Sequence, residues 1–192
     1  NDFSAQRNFA LEQTDADSVL YLDADERLNE ELIIAVKRVV TSGQMDAQYA
    51  ITRKSVAFDV TFSYGVLYPD HVSRMFPRKT VKWVNKVHEH PECSLPGKQL
   101  PGYIEHHTYK DWHEWEEKLC LYTTIWAQDA YKRGKRTSMG GILLHSIGGF
   151  FKMFVVRRGF LDGATGSYLC CTHFFYTMLK YLKLHELQQK GD

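Results

Sequence analysis

Val19-Leu20-Tyr21-Leu22-Asp23-Ala24-Asp25-Glu26 is the stretch whose reading decides the fold. Four apolar or aromatic residues run directly into carboxylates at positions 23, 25 and 26. Such a run predicts a short strand over 18–22, buried on both faces as strands of an α/β sheet usually are. Ligands of these sheets gather beyond the carboxyl ends of the strands, where Asp23 and Asp25 would stand. Residues two apart on an extended chain share a side, so both carboxylates can face one point. That oxygen chemistry suits a hard divalent cation, Mg²⁺ or Mn²⁺, with substrate phosphates completing its shell. The alternative is a solvated acidic loop ahead of a helix beginning near Asn29.

Working outward, 3–13 reads as a helix with Phe3, Arg7, Ala10 and Leu11 along one side, and Asp2 or Ser4 as its cap. On the other flank Asn29 is a good N-cap, and Glu30 and Glu31 suit the positive end of the helix dipole. Leu32, Val36, Val39 and Val40 form the apolar stripe of that helix, and Gly43 ends it. Helix, strand, acidic turn and helix together make one slice of a layered α/β domain.

From 47 to 84 the pattern becomes β, with short branched and aromatic runs at 49–53, 57–64, 71–77 and 81–84. Between two of them lies the aromatic loop 64–70, with Tyr64, Tyr68 and Asp70. It reads equally as a surface hairpin or as a platform for a sugar ring. His88, Glu89 and His90 follow as a cluster open to a metal or acid–base reading, against a plain solvated loop. The spacing is not that of a zinc protease helix, and Pro91 opposes a helix. Two prolines and a glycine predict a loop over 95–101. The run 103–108 reads as a strand carrying Glu105, His106 and His107.

Asp111 and Glu114 predict a capping box at the start of a long helix. Its stripe is Trp112, Trp115, Leu119, Tyr122 and Trp126, and Gly134 stops it. Lys132, Arg133, Lys135 and Arg136 form a basic knot after it. The segment 142–156 predicts a helix with a wide apolar face: Leu143, Leu144, Ile147, Phe150, Phe151, Phe154 and Val155. His145, Gly149 and Lys152 take the narrow side, and Arg157 and Arg158 close it. After a turn at 159–166, a second amphipathic helix sets Cys171, Phe174, Phe175, Met178, Leu179 and Leu182 against His173, Lys180 and Lys183. Charges are expected to interrupt each helix before 18 apolar residues accumulate, so neither is expected to span a membrane. Two such helices flanked by Lys and Arg suit an anchor on an anionic lipid surface; the other reading is a hairpin packed on the domain or on a second copy. The chain thus divides, as read from sequence, into a main domain at 1–136 and a helical tail at 137–192.

Composition narrows the classes. Hydrophobic residues make 44% and charged residues 24% of the 192, which excludes wholesale disorder. A net charge of +1 gives no bulk electrostatic case for nucleic acid. Cys93, Cys120, Cys170 and Cys171 form no C-x-x-C pair, which favours a reducing compartment.

The ordered runs FSAQRNFAL, VLYLDADERLNEEL, YPDHVSRMFPR, VNKVHE and GFLDGATG resemble family 2 glycosyltransferases of the GT-A fold. The likeness covers essentially the whole chain and is greatest to the branch decorating lipopolysaccharide inner core, which includes β-1,4-glucosyltransferases. It implies a GT-A-type, Rossmann-like mixed sheet flanked by helices, with a carboxyl-terminal amphipathic extension. In this family the nucleotide-binding strands precede the segment equivalent to Asn1, so the resemblance implies a sheet incomplete at its amino terminus and a donor pocket half built. The implied activity is inverting transfer of a hexose, glucose by likeness, from a nucleotide sugar such as UDP-glucose to a lipid-linked saccharide. Asp25 would hold Mg²⁺ or Mn²⁺ on the donor diphosphate, with Asp23 at ribose or in the metal's surroundings and His106 as a further ligand. Glu89 is the implied catalytic base, with Asp70 second, and Arg74 and Arg78 would meet phosphate or acceptor charge. The implied location is peripheral, on the inner face of a bacterial cytoplasmic membrane. The competing reading is a non-catalytic remnant of such a domain that binds a membrane or a partner.

Overall fold

The computed structural model describes residues 3–43, 45–85 and 89–191. It is an α/β structure, as the sequence predicts: a six-stranded sheet flanked by helices, followed by long carboxyl-terminal helices. The elements are α1 (Phe3–Glu12), β1 (Ser18–Leu20), β2 (Glu26–Leu28), α2 (Glu30–Thr41), β3 (Gln48–Ala57), β4 (Val60–Thr61), β5 (Asp70–Pro77), β6 (Val81–Val84), β7 (His90–Cys93), β8 (Gly97–Tyr109), α3 (Trp112–Lys132), α4 (Met139–Phe151) and α5 (Gly163–Gly191). The sheet order is β1-β5-β3-β8-β2 with β4 on β3, and β6 and β7 form a separate ribbon. Packing divides the chain into two compact units. The first holds 1–54 and 70–106, the second 55–69 and 107–192.

In the first unit, α2 lies on the sheet through Leu32 and Ala35, which close a core with Tyr49, Ile51, Met75 and Ile104. Val36 and Val39 pack against it, whereas Val40, expected in the stripe, is exposed. Asn29 caps α2 as predicted, and its Oδ1 accepts from both Leu32 N (3.1 Å) and Tyr103 N (2.9 Å). One amide oxygen therefore satisfies an orphan helix donor and ties α2 to β8. The contact is close enough to require glycine at 102. A Cβ there would sit 2.4 Å from Leu32 N, and the residue holds φ +86.

Three expectations are corrected here. β1 ends at Leu20 and stands last in the strand order, so Val19 and Leu20 are half-buried rather than enclosed on both faces. The loop expected at 95–101 is largely strand: β8 begins at Gly97 and carries Pro101-Gly102 within it. In α1 the inward side is Ser4, Arg7, Asn8 and Leu11, with Phe3 and Ala10 exposed. Ser4 does not cap the helix; its hydroxyl donates to the Asn85 carbonyl. Asp2, the other cap candidate, lies outside the described residues. α1 is held to β6 by a reciprocal amide pair, Asn8 Nδ2 to Trp83 O (2.8 Å) and Trp83 N to Asn8 Oδ1 (2.9 Å).

In the second unit, Asp111 caps α3 as predicted and accepts from Glu114 N (2.9 Å), while the Glu114 carboxylate reaches Lys110 N (2.8 Å). Trp115 and Leu119 of the expected stripe join Phe62 and Leu169 in one core; Trp112 and Tyr122 stay exposed. Further along, Ala127, Ala130, Ile142, Tyr181 and Leu184 knit α3, α4 and α5 together. α5 is clamped to α3 by Lys183, whose Nζ donates to Cys120 O (3.0 Å) and to the hydroxyls of Thr123 and Thr124 (2.8 Å each).

α4 sits opposite to an ordinary amphipathic helix. Ile142 and Ser146 are buried, His145 stacks on Tyr181 at 4.4 Å, and Gly149 lies against Thr177 and His173. The small and polar side faces α5, and the apolar side faces outward. A wider turn at 152–156 extends α4 to Val156. Over Met139–Val156 the only charge is Lys152, so 18 residues are apolar enough to cross a membrane by length and composition. The expectation that charge would interrupt this segment sooner is not met.

Candidate active site

Strand register builds the site. Antiparallel pairing sets Leu20 opposite Met75, and Tyr21 N then donates to Arg74 O (2.9 Å), which delivers Arg74 to the turn that follows β1. The β3–β5 register sets Arg53 opposite Asp70, and the β2–β8 register sets Glu26 opposite His106. Cross-strand neighbours on one face are within side-chain reach, and the β3–β5 register yields the Arg53–Asp70 ion pair.

The turn 23–26 closes on itself twice. Glu26 N donates to Asp23 O (3.0 Å), and Asp23 N donates to the Glu26 carboxylate (3.0 Å). Arg27 clasps the Ala24 and Glu26 carbonyls from outside. From this turn runs a chain of alternating charge. Arg7 donates to Asp23 Oδ1 and Arg74 to Asp23 Oδ2, both at 2.8 Å. Arg74 Nη2 also reaches Glu26 Oε1 at 2.7 Å, with Arg53 3.5 Å from the same oxygen. Arg53 ends on Asp70 in a two-pronged pair at 3.0 and 2.7 Å.

Glu26 was not singled out in the sequence, yet its side chain is 0% exposed at the centre of this network. Its signal was present: a carboxylate at a strand start, inside an alternation that points it inward. Arg74, with 7% side-chain exposure, has an Nε without a partner among the described residues. Burial alone would raise the Asp23 carboxyl, but the charges and hydrogen bonds of Arg74 and Arg7 outweigh it and hold Asp23 below the ordinary carboxylate range. The bidentate bond from Asp70 keeps Arg53 firmly protonated.

Asp25 differs from its neighbours. Its carboxylate is half-exposed, and Oδ2 stands 3.2 Å from His106 Nε2. Two adjacent ligands of an octahedral Mg²⁺, each at about 2.1 Å, stand about 3.0 Å apart. The pair therefore fits a cation whose remaining ligands come from elsewhere, and no cluster of three or more such donors occurs among the described residues. Asp23 has both oxygens engaged by guanidiniums.

Beside the turn, a pocket of about 320 Å³ is lined by Arg7, Asp23, Arg53, Arg74, Trp83, Glu89 and His90, among others. The Arg7 guanidinium lies 4.5 Å over the Trp83 ring. Thus Asp23, Arg74 and Glu89 share one pocket, and Asp25 and His106 pair with each other. Asp70 is tied to Arg53. Arg78 stands apart, donating to the Ala16 carbonyl at the far end of β1. Of the cluster at 88–90, His88 lies outside the described residues, as do Lys86 and Val87 of the VNKVHE run.

No family model matches the chain. Over nearly its whole length it is similar to an uncharacterized glycosyltransferase of Rickettsia prowazekii, 25% identical over 99% of this chain and 69% of that protein. A second, from Rickettsia typhi, is 27% identical over 98% of this chain and 69% of its own length. A third, from Rickettsia conorii, is 24% identical over 98% and 71%. The chain is a distant homologue of these proteins.

Proposed function

We propose that this chain belongs to a metal-dependent, inverting glycosyltransferase that moves a hexose from a nucleotide sugar to a lipid-linked saccharide. Near-full-length similarity to proteins named glycosyltransferases supports the reaction class. The observation that carries the site is the unequal partnering of two carboxylates one residue apart. Asp23 is neutralised by Arg7 and Arg74, while Asp25 remains half-exposed against His106. A divalent cation at Asp25 and His106 would neutralise the leaving diphosphate. Asp23 fixes the Arg7 and Arg74 guanidiniums at the pocket, and Glu89, which lines the same pocket, takes the acceptor hydroxyl proton. The outward apolar side of α4 supports a peripheral place on the inner face of a cytoplasmic membrane.

The test is nucleoside diphosphate release by the protein, with and without divalent cation. Asp25→Asn and His106→Gln should each abolish cation-dependent release. Glu89→Gln should lower kcat by about 10²–10⁴-fold and spare donor binding. Retention of most activity by Asp25→Asn would defeat the metal assignment, and absence of release by the wild type with either Mg²⁺ or Mn²⁺ would favour a non-catalytic binding module.

A further inference from the structure

The loop after β4 and the end of the α4 extension enclose a pocket of about 350 Å³ lined by Tyr64, Tyr68, Val156, Arg157 and Arg158. No carboxylate lines it. The nearest candidate, Asp162, is turned away, accepting from Ser63 N at 3.1 Å and Tyr64 N at 2.8 Å. Those two bonds, with Gly65 N donating to Arg157 O at 3.0 Å, fix the tyrosine loop against the arginine turn. Gly65, at φ +62, allows the approach: a Cβ there would lie 2.9 Å from Gly159 Cα. The Arg157 guanidinium rests 5.4 Å from the Tyr68 ring centroid, and neither arginine has an acidic partner among the described residues. Arg158 holds a left-handed backbone conformation at φ +53, and both arginines line the pocket. Two unneutralised guanidiniums and two phenols form a donor set for a phosphate, since guanidinium forks match phosphate oxygens.

A ridge of apolar side chains leads to this pocket. Leu143, Ile147, Phe151 and Val155 recur at every fourth residue of α4 and its extension, and all four are exposed. Val156, 73% exposed, ends the ridge and lines the pocket itself. A cationic pocket at the foot of an apolar ridge matches an amphiphile, charged at one end and hydrocarbon at the other.

We propose that Tyr64, Tyr68, Arg157 and Arg158 form a binding site for the phosphate of a membrane-borne lipid, with its acyl or prenyl chain against the Leu143–Val155 ridge. The site rests on the membrane-associating part of the reading above, and is independent of the sugar-transfer chemistry.

The experiment is sedimentation of the full chain with vesicles of phosphatidylcholine alone and with 20 mol% (about one lipid in five) phosphatidic acid. The wild type should prefer the acidic vesicles. Arg157→Gln/Arg158→Gln should weaken binding to them by about fivefold per arginine and leave binding to neutral vesicles unchanged. Arg157→Lys/Arg158→Lys, which keeps the charge and loses the forks, should fall most of the way with it. Lys135→Gln/Arg136→Gln, equal in charge and outside the pocket, should lose little. Ile147→Ser/Phe151→Ser should weaken binding to both vesicle types. Equal losses from the two Gln pairs, or full retention by the lysine pair, would overturn the pocket while leaving a general membrane reading standing. No binding of the wild type to either vesicle would overturn both. Displacement by inorganic phosphate at the concentration at which a short-chain phosphatidic acid displaces would overturn the lipid as the source of the anion.

Discussion

Glu26→Gln is the substitution whose cost the structure makes most calculable. The side chain is fully buried and accepts three hydrogen bonds or ion pairs: from Arg74 Nη2 at 2.7 Å, from Asp23 N at 3.0 Å, and from Arg53 at 3.5 Å. Glutamine has the same shape but only one acceptor oxygen. If that oxygen stays with Arg74, the new NH₂ points at the Asp23 N–H; if it stays with Asp23 N, the NH₂ points at a guanidinium. One donor is left facing a donor in either case. A buried hydrogen bond to a charged group contributes about 1.5–3 kcal/mol, and removing one partner of a buried pair costs about 3–5 kcal/mol. Arg74 keeps Asp23 as a second partner, which places the expected loss near the lower figure, about 3 kcal/mol. For a chain of this size that is a melting-temperature drop of roughly 6–12 °C. The assay is urea and thermal unfolding followed by far-UV circular dichroism, with Glu105→Gln on β8 as control, expected to change stability by less than about 0.5 kcal/mol. A Glu26→Gln protein as stable as that control would refute the claim that this carboxylate organises the turn.

Further outcomes follow from particular contacts. Gly102→Ala would drive a Cβ into Leu32 N and force a left-handed residue to carry a side chain, so it should cost at least about 2 kcal/mol in the same unfolding assay, whereas Gly97→Ala, with open space around it, should not. Burial, then the charges of Lys180, Arg157 and Lys152, depress the His173 imidazole to about 4. Between its unfolded value near 6.5 and about 4 the unfolded chain binds the extra proton, so stability is complete above pH 6.5 and falls as the pH drops toward 4, by about 1–3 kcal/mol after solvent screening; His173→Phe should flatten that slope in unfolding measured from pH 7 to 4.5. Lys183→Met removes three donated bonds that join α5 to α3 and should cost about 1–3 kcal/mol, read as faster amide exchange in α5.

The sequence carried the fold where local chemistry is self-sufficient. Asn29 and Asp111 are caps whose signal lies within four residues, and both were legible. Asp23 and Asp25 were legible as a turn at a strand end. Their partners were not, because Arg7, Arg53 and Arg74 reach them through helix docking and strand register, which no short window contains. Pro101-Gly102 reads locally as a loop; β8 runs through it because α2 presses on the glycine, and that pressure is a tertiary fact. The apolar side of α4 was plain in the periodicity, but periodicity does not say which side packs. Ser146 and Gly149 are small enough to let α4 approach α5, with Ile142 filling the core beside them, and most of the larger side chains are left outside.

The two adjacent aspartates show why charge alone does not locate a site. Counted by sign, 23, 25 and 26 form one acidic patch that would attract any cation. The structure separates them by what each already holds. Asp23 has each oxygen on a guanidinium, and Glu26 is fully buried, so a released Glu26 carboxylate would leave an unpaired charge inside the unit. Asp25 is half in water, with Oδ2 against His106. On the proposed reading, a cation at this turn would meet the least competition at Asp25. The arginines that hold Asp23 and Glu26 also line the adjoining pocket, where Asp23 and Glu89 balance part of their charge.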